Sequence, residues 1–145
     1  MERHRWALLA IDEAAPSGLS PVQLQKTLFL IGKNLTREVG DSYYSFVPYN
    51  YGPFDPNVYS DAELLIRQGL VFETRSAGRS WSYYRITRSG HTMAEQSRQT
   101  CEVSERGARY VREVVKWVQS LTFAQLLSAI YRAYPEYKAN SVFVA

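Results

Sequence analysis

The sequence predicts an α+β domain, mainly helical, and three observations carry that prediction. Apolar residues recur at helical spacing in several separate stretches, most of them opened by a residue suited to a helix N-terminus. One interval, Leu64 to Gly90, breaks the pattern. A helix runs into Gly69, two β-favouring segments flank Ser76-Ala77-Gly78-Arg79, and Thr87-Arg88-Ser89-Gly90 opens the next helix. Beyond about residue 99 the helical spacing returns. Helix, two-stranded wing and trailing helix, in that order, are the back half of a winged-helix-like domain, here extended by C-terminal helices over about 99–145.

The first helix is predicted over Arg3 to Ala14, with Trp6, Leu9 and Ala10 as a short apolar stripe and Pro16-Ser17-Gly18 as its stop. The second has a complete start signal. Ser20 is the N-cap, Pro21 takes the first position, Gln23 completes a capping box, and Leu19 with Leu24 forms a hydrophobic staple. Leu24, Leu28, Ile31 and Leu35 then recur, and the helix is expected to end near Val39-Gly40. Asp41 to Asn50, rich in Tyr and Phe, reads as a short strand or extended loop, and Tyr51-Gly52-Pro53 as a turn. Asp55 caps a third helix with Pro56 first, a Phe54–Tyr59 staple, and Val58, Ala62, Leu65 and Ile66 on its buried face. Gly69 ends it in the left-handed conformation.

The wing strands are predicted at Val71 to Arg75 and Ser80 to Thr87. Alternation puts Ser82, Tyr84 and Ile86 toward the helices and Trp81, Tyr83 and Arg85 outward. Thr87 caps a polar helix, short or frayed, over about Ser89 to Ser97. Gln99 to Leu121 reads as a long helix, either continuous with it or separate. The apolar face Val103, Tyr110, Val111, Val114, Val118, Leu121 exceeds what a small domain needs, which marks 103–121 as a homodimerisation element. Thr122 and Gln125 cap a last helix, and Pro135 ends it. No linker divides the chain, so residues 1–145 are expected to be a single domain.

Composition narrows the function classes. The net charge of +3 permits nucleic-acid binding without requiring it. Tyr 11, Phe 6 and Trp 3 favour either a surface that binds through partly exposed rings or a tyrosine-filled core. The longest apolar runs fall far short of the roughly 20 residues that span a bilayer. Asp12 and Glu13 interrupt the N-terminal apolar patch, so neither a membrane segment nor a signal peptide is expected. Cys101, the single cysteine, excludes an internal disulfide or cysteine metal cluster, and a reducing cytoplasm is the expected compartment. His4 and His91 lack a Cys or Asp at nucleophile or metal spacing, and the eight glycines form no phosphate loop. No enzyme activity, metal or cofactor is expected.

Two kinds of partner remain. Arg75, Arg79, Arg85 and Arg88 give the wing a basic character, with Trp81 and Tyr83 placed to press on sugars or bases of duplex DNA. The alternative is a solvated hairpin whose arginines protect an edge strand. Against DNA stands the preceding helix, which carries Asp55, Asp61 and Glu63 against a single Arg67.

Several strings resemble the SocA-like antitoxin domain, also called the Panacea domain, and its YwgA-like relatives. Leu24-Gln25-Lys26 with Leu28-Phe29-Leu30 is similar to the family's Leu-Gln-Lys helix. Tyr51-Gly52-Pro53-Phe54 followed by Tyr59 resembles its Tyr-Gly-Pro turn. Leu64-Leu65 through Gly69-Leu70 resembles a helix end, and Ile130-Tyr131 with Tyr134-Pro135-Glu136-Tyr137 the end of YwgA-like proteins. The resemblance implies a non-enzymatic protein that binds others, in antitoxin members a toxin neutralised by contact or presented to a protease. A partner surface would then use Tyr49, Tyr51 and Phe54, with Lys26 either snorkelling from the stripe edge or meeting an acidic group of the partner. The leading expectation is a DNA-binding regulator, and the alternative is a protein-binding antitoxin or adaptor.

Overall fold

The structure, a computed structural model, describes residues 1–75 and 82–142. Among them the chain is α+β: helices α1 (Arg3–Glu13), α2 (Pro21–Asn34) and α3 (Thr36–Val39), strands β1 (Val47–Tyr49) and β2 (Gly52–Phe54), helix α4 (Pro56–Arg67), strands β3 (Val71–Thr74) and β4 (Tyr83–Ile86), then helices α5 (Arg88–Gln99), α6 (Glu105–Gln119) and α7 (Phe123–Ala133) and a 3-10 turn at Pro135–Lys138. No described helix is long and apolar enough to cross a membrane.

The expected stripe on α1 understates it. Trp6 through Asp12 are buried without interruption, because α2, α4, α5, α6 and β4 all pack around this helix. A helix enclosed on every side needs apolar or satisfied side chains all round. The capping box of α2 forms as the sequence specifies, Ser20 Oγ accepting from Gln23 N and Gln23 Oε1 accepting from Ser20 N. The helix stops at Asn34, earlier than expected, and α3 follows as a separate turn. Leu35 at φ −121° and ψ 42° breaks the run.

Residues 41–55 hold a second hairpin. Val47 pairs with Phe54, Pro48 with Pro53 and Tyr49 with Gly52. The reversal falls at Asn50-Tyr51, so Gly52 and Pro53 belong to a strand rather than to the predicted turn. Gly52 adopts φ +88°, which a side chain would strain.

β3 and β4 pair antiparallel, Val71 opposite Ile86 and Thr74 opposite Tyr83. Leu19 adds an isolated antiparallel bridge to Tyr84, Leu19 N donating to Tyr84 O at 3.0 Å and Tyr84 N to Leu19 O at 2.8 Å. α5 is a full helix rather than a frayed one. It does not run on into α6, since Cys101 at φ 59° turns the chain between them. The apolar face proposed for dimerisation is spent inside the molecule: Val103, Val111, Val114, Val115 and Val118 are buried, and α6 packs on α1 and α2. The argument for 103–121 as a dimer interface therefore fails. Thr122 and Gln125 cap α7 reciprocally, as expected.

Candidate functional site

The wing arginines do not share one surface. Arg75, just past β3, and Arg88, first in α5, are exposed. Arg85 departs from the expected outward face. It is half-buried, its Nε is enclosed without a hydrogen-bond partner, and its Cγ lies where a Cβ on Gly18 would meet it at 2.9 Å. The cause is the Leu19–Tyr84 bridge, which draws the α1–α2 connection across that side of β4. Tyr84 is buried and Ile86 half-buried, as the alternation predicts, whereas Tyr83 is half-buried too. Arg79 and Trp81, with the turn Ser76-Ala77-Gly78-Arg79, lie outside the described residues.

The acidic character expected of α4 is also corrected. Asp55 is buried as the N-cap, accepting from Asn57 N at 2.9 Å and from Ser45 N at 2.7 Å. Asp61 is buried against Arg3 of α1, accepting from Arg3 Nε at 2.9 Å and from the Tyr44 hydroxyl at 2.6 Å. That hydrogen bond to Asp61 holds the Arg3 guanidinium more firmly protonated than usual, while burial first and Asp61 second push the Tyr44 phenol upward. Of the three carboxylates, only Glu63 faces solvent, alongside Asn57, Ser60, Arg67 and Gln68. Helical spacing could show that Asp61 lies near the buried face, but not that Arg3, 58 residues away, waits there. Tyr44→Phe removes one charge-assisted donor and is expected to cost about 1–2 kcal/mol in urea denaturation; an unchanged midpoint would show that Arg3 alone satisfies Asp61.

The two strings that carry the family resemblance are physically interlocked. Gln25 of α2 is fully buried and grips the backbone of Asp55 twice, its Nε2 donating to Asp55 O at 2.9 Å and its Oε1 accepting from Asp55 N at 3.1 Å. Lys26 does not snorkel. It is 2% exposed, and its Nζ donates to Pro53 O at 3.1 Å. The leucine-glutamine-lysine run of α2 thus fastens the β2–α4 junction, the first residue entering the core and the next two bonding main chain. Burial lowers the Lys26 amine to about 7. Among the described residues the ion pairs involve Arg3, His4, His91, Arg98 and Arg112 as cations, and Lys26 is in none of them.

Tyr49 and Tyr51 are exposed, and Phe54 is half-buried between them and α4. Tyr49 stacks on Phe54 with centroids 4.8 Å apart, Phe54 meets Tyr59 edge-on at 5.6 Å, and Tyr51 meets Phe123 of α7 at 5.5 Å. The Phe54–Tyr59 staple is as expected, and the rings of the Tyr-Gly-Pro-Phe run reach α4 and α7.

One cluster escaped sequence reasoning. Asp12, nearly buried at the end of α1, accepts from Arg98 Nη2 at 2.8 Å and lies 2.7 Å from His91 Nδ1. Arg98 also meets Glu13 and Glu95. Asp12, His91 and Glu95 present their ligand atoms within 4.8 Å of one another, a spacing a metal could use. Arg98 already engages both carboxylates, however, and the arrangement reads first as a clamp of α5 on α1. His91 does have an aspartate partner, but 79 residues away, where no sequence spacing reveals it.

A scan against protein-family models and searches of curated proteins and of solved structures find no match to the chain.

Proposed function

We propose that the chain is a non-enzymatic, cytoplasmic DNA-binding regulator of winged-helix architecture. The supporting arrangement is α1, α2 and α4 packed together, with α4 leading directly into the β3–β4 hairpin and Leu19 adding a third strand-like edge to β4. The observation that carries the reading is the loss of acidic character on the outer face of α4, where Glu63 and Arg67 balance. With Asp55 and Asp61 turned inward, its outer face offers Asn57, Ser60, Arg67 and Gln68, residue types that read base edges, opposed only by Glu63. Exposed Arg75 and Arg88 bracket the hairpin and supply phosphate contacts, and Arg79 and Trp81, outside the described residues, complete the set that the sequence assigns to the wing. Arg85, being partly enclosed, contributes less than the sequence suggested.

Duplex DNA binding is expected to weaken steeply with salt. Arg75→Ala with Arg88→Ala is expected to weaken it across all sequences and to reduce the magnitude of the slope of log K against log salt by about 2, close to 0.9 per lost phosphate contact. Titration of fluorescent duplexes between low and moderate salt checks both. Absence of duplex binding at low salt removes the reading and leaves a second one, a protein-binding antitoxin or adaptor of the kind the family resemblance implies. What favours that second reading is the side-by-side exposure of Tyr49 and Tyr51, at 50% and 44%.

A further inference from the structure

Two concavities adjoin between α2, the β1–β2 hairpin and α7. The larger, about 440 Å³, is walled by Pro21, Val22, Tyr51, Leu121, Phe123 and Leu126, among others. The smaller, about 130 Å³, runs beneath the hairpin and is lined by Lys26, Tyr49, Asn50, Phe54 and Tyr59. Val22 and Tyr51 line both, so the two concavities adjoin. The larger alone falls in the range of small-molecule pockets, which run from about 300 to 1,000 Å³ and combine apolar walls with a few convergent polar groups.

The polar end is unusual. Lys26 is the one charged residue lining either concavity among the described residues. It is enclosed, bonded to a main-chain carbonyl, and without a carboxylate. A buried cation lacking a counter-ion costs free energy that an incoming anion recovers. The surroundings set which anion. A phosphate carries up to two charges, whereas Lys26 is the one cation among lining residues that otherwise bring the neutral side chains of Gln25 and Asn50 and the phenols of Tyr49, Tyr51 and Tyr59. A monoanionic carboxylate matches that supply. Its remaining body must be apolar to lie along Val22, Tyr51 and Leu126.

We propose that these adjoining concavities bind a small apolar carboxylic acid, with the carboxylate against Lys26 and the apolar body in the groove between α2 and α7. The proposal rests on neither the DNA reading nor the partner reading, since it needs no macromolecule, but it shares Tyr83 with the first and Tyr51 with the second.

The test is calorimetric titration of the full chain with 3-phenylpropionate and, as uncharged control, 3-phenylpropanamide. At pH 6 the acid is expected to bind at least tenfold more tightly than the amide. The preference is expected to shrink severalfold by pH 8.5, because Lys26, at about 7 in the free protein, loses its charge across that interval. The titratable groups around Lys26 are the phenols of Tyr49 and Tyr51 in the hairpin, Tyr59 on α4 and Tyr131 on α7. Burial pushes the Tyr59 phenol up, away from that interval. Lys26→Met should abolish the preference for the acid while the amide binds as before. Val22→Trp, which fills the junction without touching the amine, should weaken both probes. Equal binding of acid and amide to the native chain, no binding of either at millimolar concentration, or a preference that survives Lys26→Met each overturns the proposal. Should Lys26→Met not fold, the pH series on the native chain decides the matter alone.

Discussion

Gly90→Ala is expected to lower stability by about 3–4 kcal/mol and the melting temperature by roughly 10 °C. Gly90 stands at the third position of α5, where its N–H donates to the capping hydroxyl of Thr87 at 2.9 Å. A Cβ there would meet Leu70 O at 2.0 Å and Ile86 Cδ1 at 2.7 Å. The side chain of Ile86 can rotate away, but the carbonyl cannot. Leu70 O accepts from Thr87 N at 3.1 Å, Thr87 Oγ1 donates to Gly69 O at 2.8 Å, and Val71 pairs with Ile86 in the next step of the ladder. Moving Leu70 would part the hairpin from the helix that follows it. Gly69→Ala is the internal comparison. Gly69 has φ +74° but open space around a Cβ, so its substitution strains only the backbone and should cost about 1 kcal/mol. Thermal denaturation of the two variants side by side separates steric blockade from backbone strain. A loss at Gly90 no greater than that at Gly69 would mean the α5 start can slide away from Leu70, contrary to the interlock described.

That interlock explains why Leu64 to Gly90 was legible in the sequence when other regions were not. Its signals are local: a glycine after a helix, an alternating strand, and a threonine cap three residues before a close-packed glycine. The caps at Ser20, Asp55, Thr87 and Thr122 were readable for the same reason, since each bonds an N–H two or three residues on. What failed was whatever depended on a distant partner. The charge of α4 was misjudged because Arg3 and Tyr44 come to Asp61 from 58 and 17 residues away. The apolar face of α6 looked surplus because the burial of α1 on all sides cannot be inferred from the spacing of Trp6, Leu9 and Ala10. The candidate site divides along the same line. Exposure of Arg75, Arg88, Tyr49 and Tyr51 follows from polarity and turn position. The enclosure of Lys26 depends on Gln25 gripping Asp55, 30 residues on, and on the hairpin then closing over the amine. A run of three polar side chains, Gln25, Lys26 and Thr27, inside an otherwise apolar helix was the available signal.

Lys26 makes the stability of the whole chain depend on pH. Burial lowers its amine to about 7, while in the unfolded chain it ionises near the ordinary lysine value of about 10.4. Between those limits the unfolded state holds a proton that the folded state lacks, so stability must rise with pH across the interval and fall as pH drops toward 7. Below 7 the folded chain carries the enclosed ammonium and the contribution stays at its lowest. One pH unit inside the interval corresponds to about 1.4 kcal/mol, so the native chain is expected to gain on the order of 2 kcal/mol between pH 7 and 9. Lys26→Met retains most of the packing beside Gly52 and removes the titrating group. It forfeits the bond to Pro53 O, worth about 1 kcal/mol, and removes a larger ionisation penalty. The variant is therefore expected to be more stable than the native chain at pH 7, by about 1–2 kcal/mol, and to show a flat profile from 7 to 9. Urea denaturation at half-unit steps measures both quantities, and profiles that run parallel would place the titration elsewhere. A cation that lowers the stability of its own fold at neutral pH does more than its bond to Pro53 O requires, since a glutamine or methionine could fill the same space at lower cost.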